Sequence, residues 1–180
     1  MKRSKQPTDK LNTNVWGMLF AVVLFGFIVV VATIAFTSRD FWWFSKDFTQ
    51  RPSSITVYHD GARTQYAPGD SGFIELAEGV RASLAMGVDR PSGIGLSAAS
   101  LEDAYALYLT VEAFFAQPVK LHAWFNTDNP IQMLFPITGR HSDLQVVFLG
   151  VNKIYLSSGP ILKSTEPLKK ALREVGYSLD

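Results

Sequence analysis

The sequence predicts a single N-terminal transmembrane helix followed by a small α+β domain, an antiparallel sheet with two packing helices. Three observations carry that reading. Val15 to Phe36 runs 22 residues without a charge. Short apolar runs separated by turn-forming residues fill the stretch from Val119 to Gly159. Two segments, from Phe73 and from Leu168, repeat apolar residues at helical spacing with charges between them. Segregated strands and helices define the α+β class.

Residues 1–14 form a basic arm. Lys2, Arg3, Lys5 and Lys10 face only Asp9 there, whereas 13 basic and 15 acidic residues follow from Ser38 onward. The arm is short and has no interleaved aromatics, so it does not read as a nucleic-acid site. Beside an apolar run it reads as a topology signal that keeps the N-terminus in the cytoplasm.

Residues 15–37 are the anchor. As a helix the apolar run spans roughly 33 Å, enough for a hydrocarbon core of about 30 Å, and it is apolar all round. The apolar region of a cleaved signal peptide is shorter and ends in a small-x-small site, and Thr33-Ile34-Ala35 is a poor one. The expectation is an uncleaved signal anchor in the cytoplasmic membrane, single-pass, with the C-terminal domain outside.

Residues 38–54 start with "SRDFWWFSKDF". Phe41, Trp42, Trp43, Phe44 and Phe48 place five rings in eleven positions, and Arg39 and Lys46 can reach lipid phosphates beside them. Rings with one wet end collect at headgroup level. The group Phe41, Trp42, Trp43, Phe44, Lys46 and Phe48 is therefore the candidate interface with lipid. The sharper, second reading is a dock for a membrane-protein partner, because four adjacent rings exceed what one helix needs as an anchor. Gly17 and Gly26 are nine apart, so no small-xxx-small motif supports self-pairing. "TQRPSS" (49–54) reads as a short polar tether.

Residues 55–180 are the domain. "SITVYHDGARTQY" predicts a hairpin turning on Asp60-Gly61. Asp70 is the expected cap of a helix bearing Phe73, Leu76, Ala77, Val80 and Leu84, with Gly87 as its stop. "VDRPSGIGLSAAS" reads as loop. In "LEDAYALYLTVEAFF", Ser100 with Asp103 suggests a helix start, but Leu107, Leu109 and Val111 alternate, and the reading leans to strand. "VKLHAWF", "IQMLFPI", "LQVVFLG" and "KIYLSSG" follow as a meander, with Pro136 marking an edge or bulge. Thr165 and Pro167 open the last helix, whose stripe is Leu168, Ala171, Leu172 and Val175, and Gly176 ends it.

Catalytic motifs are sparse. The chain has no cysteine, which excludes disulfides, Cys-based zinc sites and thiol nucleophiles. His59, His122 and His141 have no metal-ligand spacing. Gly93-x-Gly95-x-Ser97 is neither a nucleophile elbow nor a phosphate loop. Glu112 is the one carboxylate inside an apolar stretch; inward it would be a candidate catalytic acid, but alternation points it outward as an ordinary strand-surface residue. Tyr108, Phe114, Phe115, Trp124, Phe125 and Phe135 are many rings for one sheet, and read as core against the helices or as one face for a partner or apolar ligand.

The expected function is a non-catalytic accessory, assembly or scaffold component of a larger membrane or cell-envelope complex. Its partners would be the lipid bilayer and a membrane protein, with no nucleic acid, cofactor or metal. The alternative is an anchored small-molecule or lipid binding or sensing module. A third reading is an enzyme with a site assembled in space from Glu112, His122 and His141.

Overall fold

The computed structural model describes residues 15–45, 47–152 and 154–179. Helix α1 (Val15–Ser38) is long and apolar enough to cross a membrane. Most of its surface is exposed, with the exception of one stripe near its end. Val31 and Ile34 are half-covered and Ala35 and Ser38 are buried, a spacing that puts all four on one helical face.

The domain is built on a six-stranded antiparallel sheet in the order β2-β1-β4-β5-β6-β7. Its strands are β1 (Ser54–His59), β2 (Ala62–Tyr66), β4 (Thr110–Phe114), β5 (Gln132–Pro136), β6 (Phe148–Val151) and β7 (Ile154–Tyr155). The β1–β2 hairpin turns where the sequence places it. Asp60 and Gly61 have φ of 50° and 75°, the two positive values a tight hairpin turn demands. A second ladder joins β3 (Val88–Pro91) to β8 (Pro160–Leu162).

Register sorts the side chains. Val57 opposes Val111, which opposes Phe135, and Met133 opposes Leu149. These residues face α2 (Phe73–Ala85) and α4 (Glu166–Val175), whose Leu76, Val80, Leu168 and Leu172 complete the main core. The two helices touch at Gly79, where an added Cβ would lie 2.7 Å from that of Ala171, so only hydrogen fits. On the opposite face Thr56, Glu112, Leu134 and Phe148 are in register across four strands. That face is covered as well, by α3 (Ala98–Ala106) and the chain leading into it, through Ile94, Leu96, Leu101 and Tyr105. The domain is thus three layers, with a third helix beyond the two expected.

Several local expectations are corrected. The stretch read as loop contains β3 and the start of α3. The ambiguous segment is both things in turn: α3 ends at Ala106, and the alternating residues beyond it enter β4. The cap of α3 is Ser97, whose Oγ accepts from the Ser100 N–H, so the capping residue lies three positions before the one expected. Asp70 does not cap α2. Its Oδ2 accepts from the Ala67 N–H at 2.7 Å and closes the preceding turn, while Gly72 occupies the cap position. Thr165 sits at the α4 cap position without a side-chain bond, and Gly176 ends the helix at φ 102°. Pro136 lies in an interior strand, tolerated as its last residue. "VKLHAWF" forms no ladder, yet it keeps the strand alternation: Val119, Leu121 and Ala123 are buried, and Lys120, His122 and Trp124 point the other way.

Candidate functional site

Two constellations concentrate polar chemistry. The first is the junction between α1 and the domain. The chain leaves α1 through Arg39 at φ 54°. Asp40 then folds back, its N–H donating to the Ala35 carbonyl at 3.2 Å. Its side chain is buried and meets three donors. Oδ1 accepts from the Trp42 N–H at 2.9 Å, Oδ2 lies 2.7 Å from His122 Nδ1, and Lys120 Nζ lies 3.3 Å from Oδ1. Burial pushes this carboxyl up, but the bond from His122, the bond from Trp42, the His122 charge and the bond from Lys120 together hold it below the usual carboxylate range. Residues 82 positions apart in sequence are pinned here.

The stretch that follows packs on the domain as well. Phe48 lies in the main core, edge-to-face with Phe115 at 6.4 Å between ring centres, and Arg81 donates to its carbonyl. Pro52 is buried, and the Ser53 N–H donates to the Phe114 carbonyl at 2.7 Å. The junction therefore joins helix and domain at Asp40, Phe48 and Pro52–Ser53.

Within this frame the sequence-predicted aromatic group divides. Phe41, Trp42 and Phe44 are between 59% and 76% exposed. Trp42 and Phe44 stand 5.9 Å apart, centre to centre, and Trp43 is equally close to Phe44, edge-on. Trp43 itself is half-buried, and its indole N–H is enclosed without a hydrogen-bond acceptor. Phe48 belongs to the core, so its role is packing. Lys46 lies outside the described residues.

The second constellation surrounds Glu112, which is 3% exposed. The sequence reading of Glu112 as an outward, strand-surface residue is corrected: it turns from the main core but is buried. The far face is covered by α3, so facing away from one core places it inside another layer. Four donors converge on its two oxygens: the hydroxyls of Tyr58 and Tyr105 at 3.0 Å each, the amide of Gln132 at 2.6 Å, and the Tyr155 hydroxyl. Gln132 also donates to the Tyr155 oxygen at 2.8 Å. This geometry suits an acceptor-only carboxylate. Burial and the Glu112 charge push the Tyr58 hydroxyl up to about 12, and push those of Tyr105 and Tyr155 higher still. Tyr58 and Tyr105 stack at 4.2 Å and border an open, mainly apolar groove of about 490 Å³ with Ala98, Leu101, Arg63 and Glu102.

The three residues of the possible assembled site go separate ways. Glu112 bonds to tyrosines and Gln132, and His122 to Asp40. His141 stands against Phe148 at 5.6 Å, its pKa lowered by burial and the Arg140 charge. Among the described residues no group of three or more His, Asp or Glu is arranged to hold a metal ion. Of the sheet aromatics, Phe115 and Phe135 are core, and Trp124 is exposed. No protein-family model, no curated protein and no solved structure matches the chain.

Proposed function

We propose that the chain is a membrane-anchored, non-catalytic accessory component of a larger membrane or cell-envelope assembly, its domain outside the cytoplasm. The observation that carries this reading is the clamped junction with its exposed rings. A lipid belt needs aromatic side chains at one height but no fixed heading. A docking surface needs both, and the Asp40–His122–Lys120 cluster supplies the heading by joining the exit of α1 to the domain. Phe41, Trp42 and Phe44 then offer a protein partner a preorganised apolar patch, which lowers the ordering cost of association. The outside orientation rests on the basic arm before α1.

A photo-crosslinking residue at Phe44, introduced into the full chain in its own membrane, tests this reading. One discrete membrane-protein adduct, absent when the same residue replaces the exposed Leu107, is expected. Adducts to lipid alone from Phe44 would defeat it.

The groove beside Tyr58 and Tyr105 favours a second reading, an anchored binding module for a small, mainly apolar molecule. Its volume lies within the range of small-molecule sites. A thermal shift of the full chain with an apolar ligand, abolished by Leu101→Asp in the groove wall, would favour this reading over the first.

A further inference from the structure

The alternation of the segment 119–125 has a consequence for the membrane. Its buried residues, Val119, Leu121 and Ala123, enter the domain. Its other side presents Lys120, His122 and Trp124 in a row. The first two of that row touch Asp40, only two residues beyond the end of α1. Along an extended chain His122 and Trp124 are roughly 7 Å apart. Trp124 is thus held near the exit of the apolar helix, and it is 49% exposed. Its indole N–H donates to the Asp89 carbonyl at 3.3 Å, and its ring meets Phe125 edge-on at 5.4 Å.

The helix itself supplies the second observation. The covered stripe Val31, Ile34, Ala35 and Ser38 reaches two turns back from the helix end. Protein therefore flanks α1 at the depth where its apolar run finishes. The polar layer of a bilayer is only about 5–8 Å thick on each side, so a ring fixed this close to the helix exit meets it.

We propose that Trp124, with Phe125 behind it, is a second membrane contact: a tryptophan held in the lipid headgroup layer of the same bilayer that α1 crosses. The domain then meets the membrane at the Trp124 segment as well as through α1, and its tilt is set. This inference rests on α1 being membrane-spanning.

The chain has no cysteine, so single-cysteine spin labels need no background removal. Labels at Val23, Leu107 and Trp124 of the full chain in phosphatidylcholine–phosphatidylglycerol nanodiscs would be compared for collision with oxygen and with a water-soluble nickel chelate. Leu107 is exposed and follows α3, whose end lies against the β1–β2 turn, at the far end of β1 from the junction. The expected result is a deep lipid signature at Val23, a fully aqueous one at Leu107, and at Trp124 nickel accessibility several-fold below that of Leu107. A Trp124 label as accessible as the Leu107 label, with Val23 deep in lipid, overturns the second contact and leaves the anchor standing. An aqueous Val23 removes both. Because Trp124→Cys deletes the ring in question, a chain carrying Trp16→Phe, Trp42→Phe and Trp43→Phe provides a second readout. Its one remaining tryptophan should be quenched by lipids brominated near the headgroup, and absence of quenching contradicts the proposal.

Discussion

Replacing Asp40 by Asn probes the junction with little change of shape. The amide oxygen still accepts from the Trp42 N–H, so the turn after α1 is kept. What is lost is the charge facing His122 at 2.7 Å and Lys120 at 3.3 Å. A hydrogen bond to a charged group contributes about 1.5–3 kcal/mol net. Lys120 is half-exposed and its share is screened by water and salt. A combined loss of about 2 kcal/mol follows, which is roughly thirty-fold in the equilibrium between docked and open junction. Amide exchange of the full chain in nanodiscs, read by mass spectrometry, reports that equilibrium locally. Peptides covering residues 39–48 and 117–127 should exchange roughly thirty-fold faster, with β4 and β5 unchanged. Unchanged protection in those two segments would refute the clamp. A uniform loss across the sheet would equally refute it, because Asp40 would then be holding the domain together rather than the junction.

Other outcomes follow from the same geometry. Because the folded-state pKa of Asp40 is lowered, its contribution is complete above the unfolded value of about 3.9 and disappears as pH falls through the lower folded one; protection of residues 39–48 should therefore fall in acid below about pH 3.9. Tyr155→Phe removes a donor from buried Glu112 and an acceptor from Gln132, and should lower unfolding stability by about 1–3 kcal/mol in a denaturant titration. For the tyrosines the linkage runs the opposite way, since a raised folded-state pKa means stability lost as pH climbs. Tyr58, Tyr105 and Tyr155 should stay predominantly protonated at pH 11, about one unit above the free phenol, until denaturant is added. Gly79→Ala, which in an open helix would gain about 0.5–1 kcal/mol, should instead destabilise by about 1–3 kcal/mol because its Cβ collides with Ala171 and Leu168; a raised melting temperature would contradict the close α2–α4 packing.

Features that depend on near neighbours were legible in the sequence. The long apolar helix α1 needs only length and composition, the hairpin only Asp60-Gly61, and α2 and α4 only their apolar stripes. What escaped depends on distant coverage. Glu112 meets Tyr58, Tyr105 and Tyr155 across 54, 7 and 43 residues. No pattern around Glu112 announces that a helix will cover its face. Helix α3 escaped because it is short, with only Ala104 fully buried, and because the alternation of the following strand begins right at its end. The Ser97-x-x-Ser100 spacing was the local signal that could have located it. The segment 119–125, expected as a strand of the meander, forms no ladder, and its Lys120 and His122 side chains meet Asp40, a contact 82 residues away in sequence for His122 that no local pattern announces.

The aromatic group divides on the same principle. Five rings within eleven residues look alike in sequence, yet Phe48 is drawn into the core by Phe115 and Trp43 is half-covered, leaving Phe41, Trp42 and Phe44 on the surface. These three, held by a clamp, are the basis for proposing a partner. The most direct measurement is the native mass of the full chain extracted from its own membrane in a gentle detergent, alongside a Trp42→Ala, Phe44→Ala variant. The account predicts a discrete assembly well above the 20.0 kDa chain, lost in the variant while the domain stays folded. A lone 20.0 kDa species in both samples would contradict it.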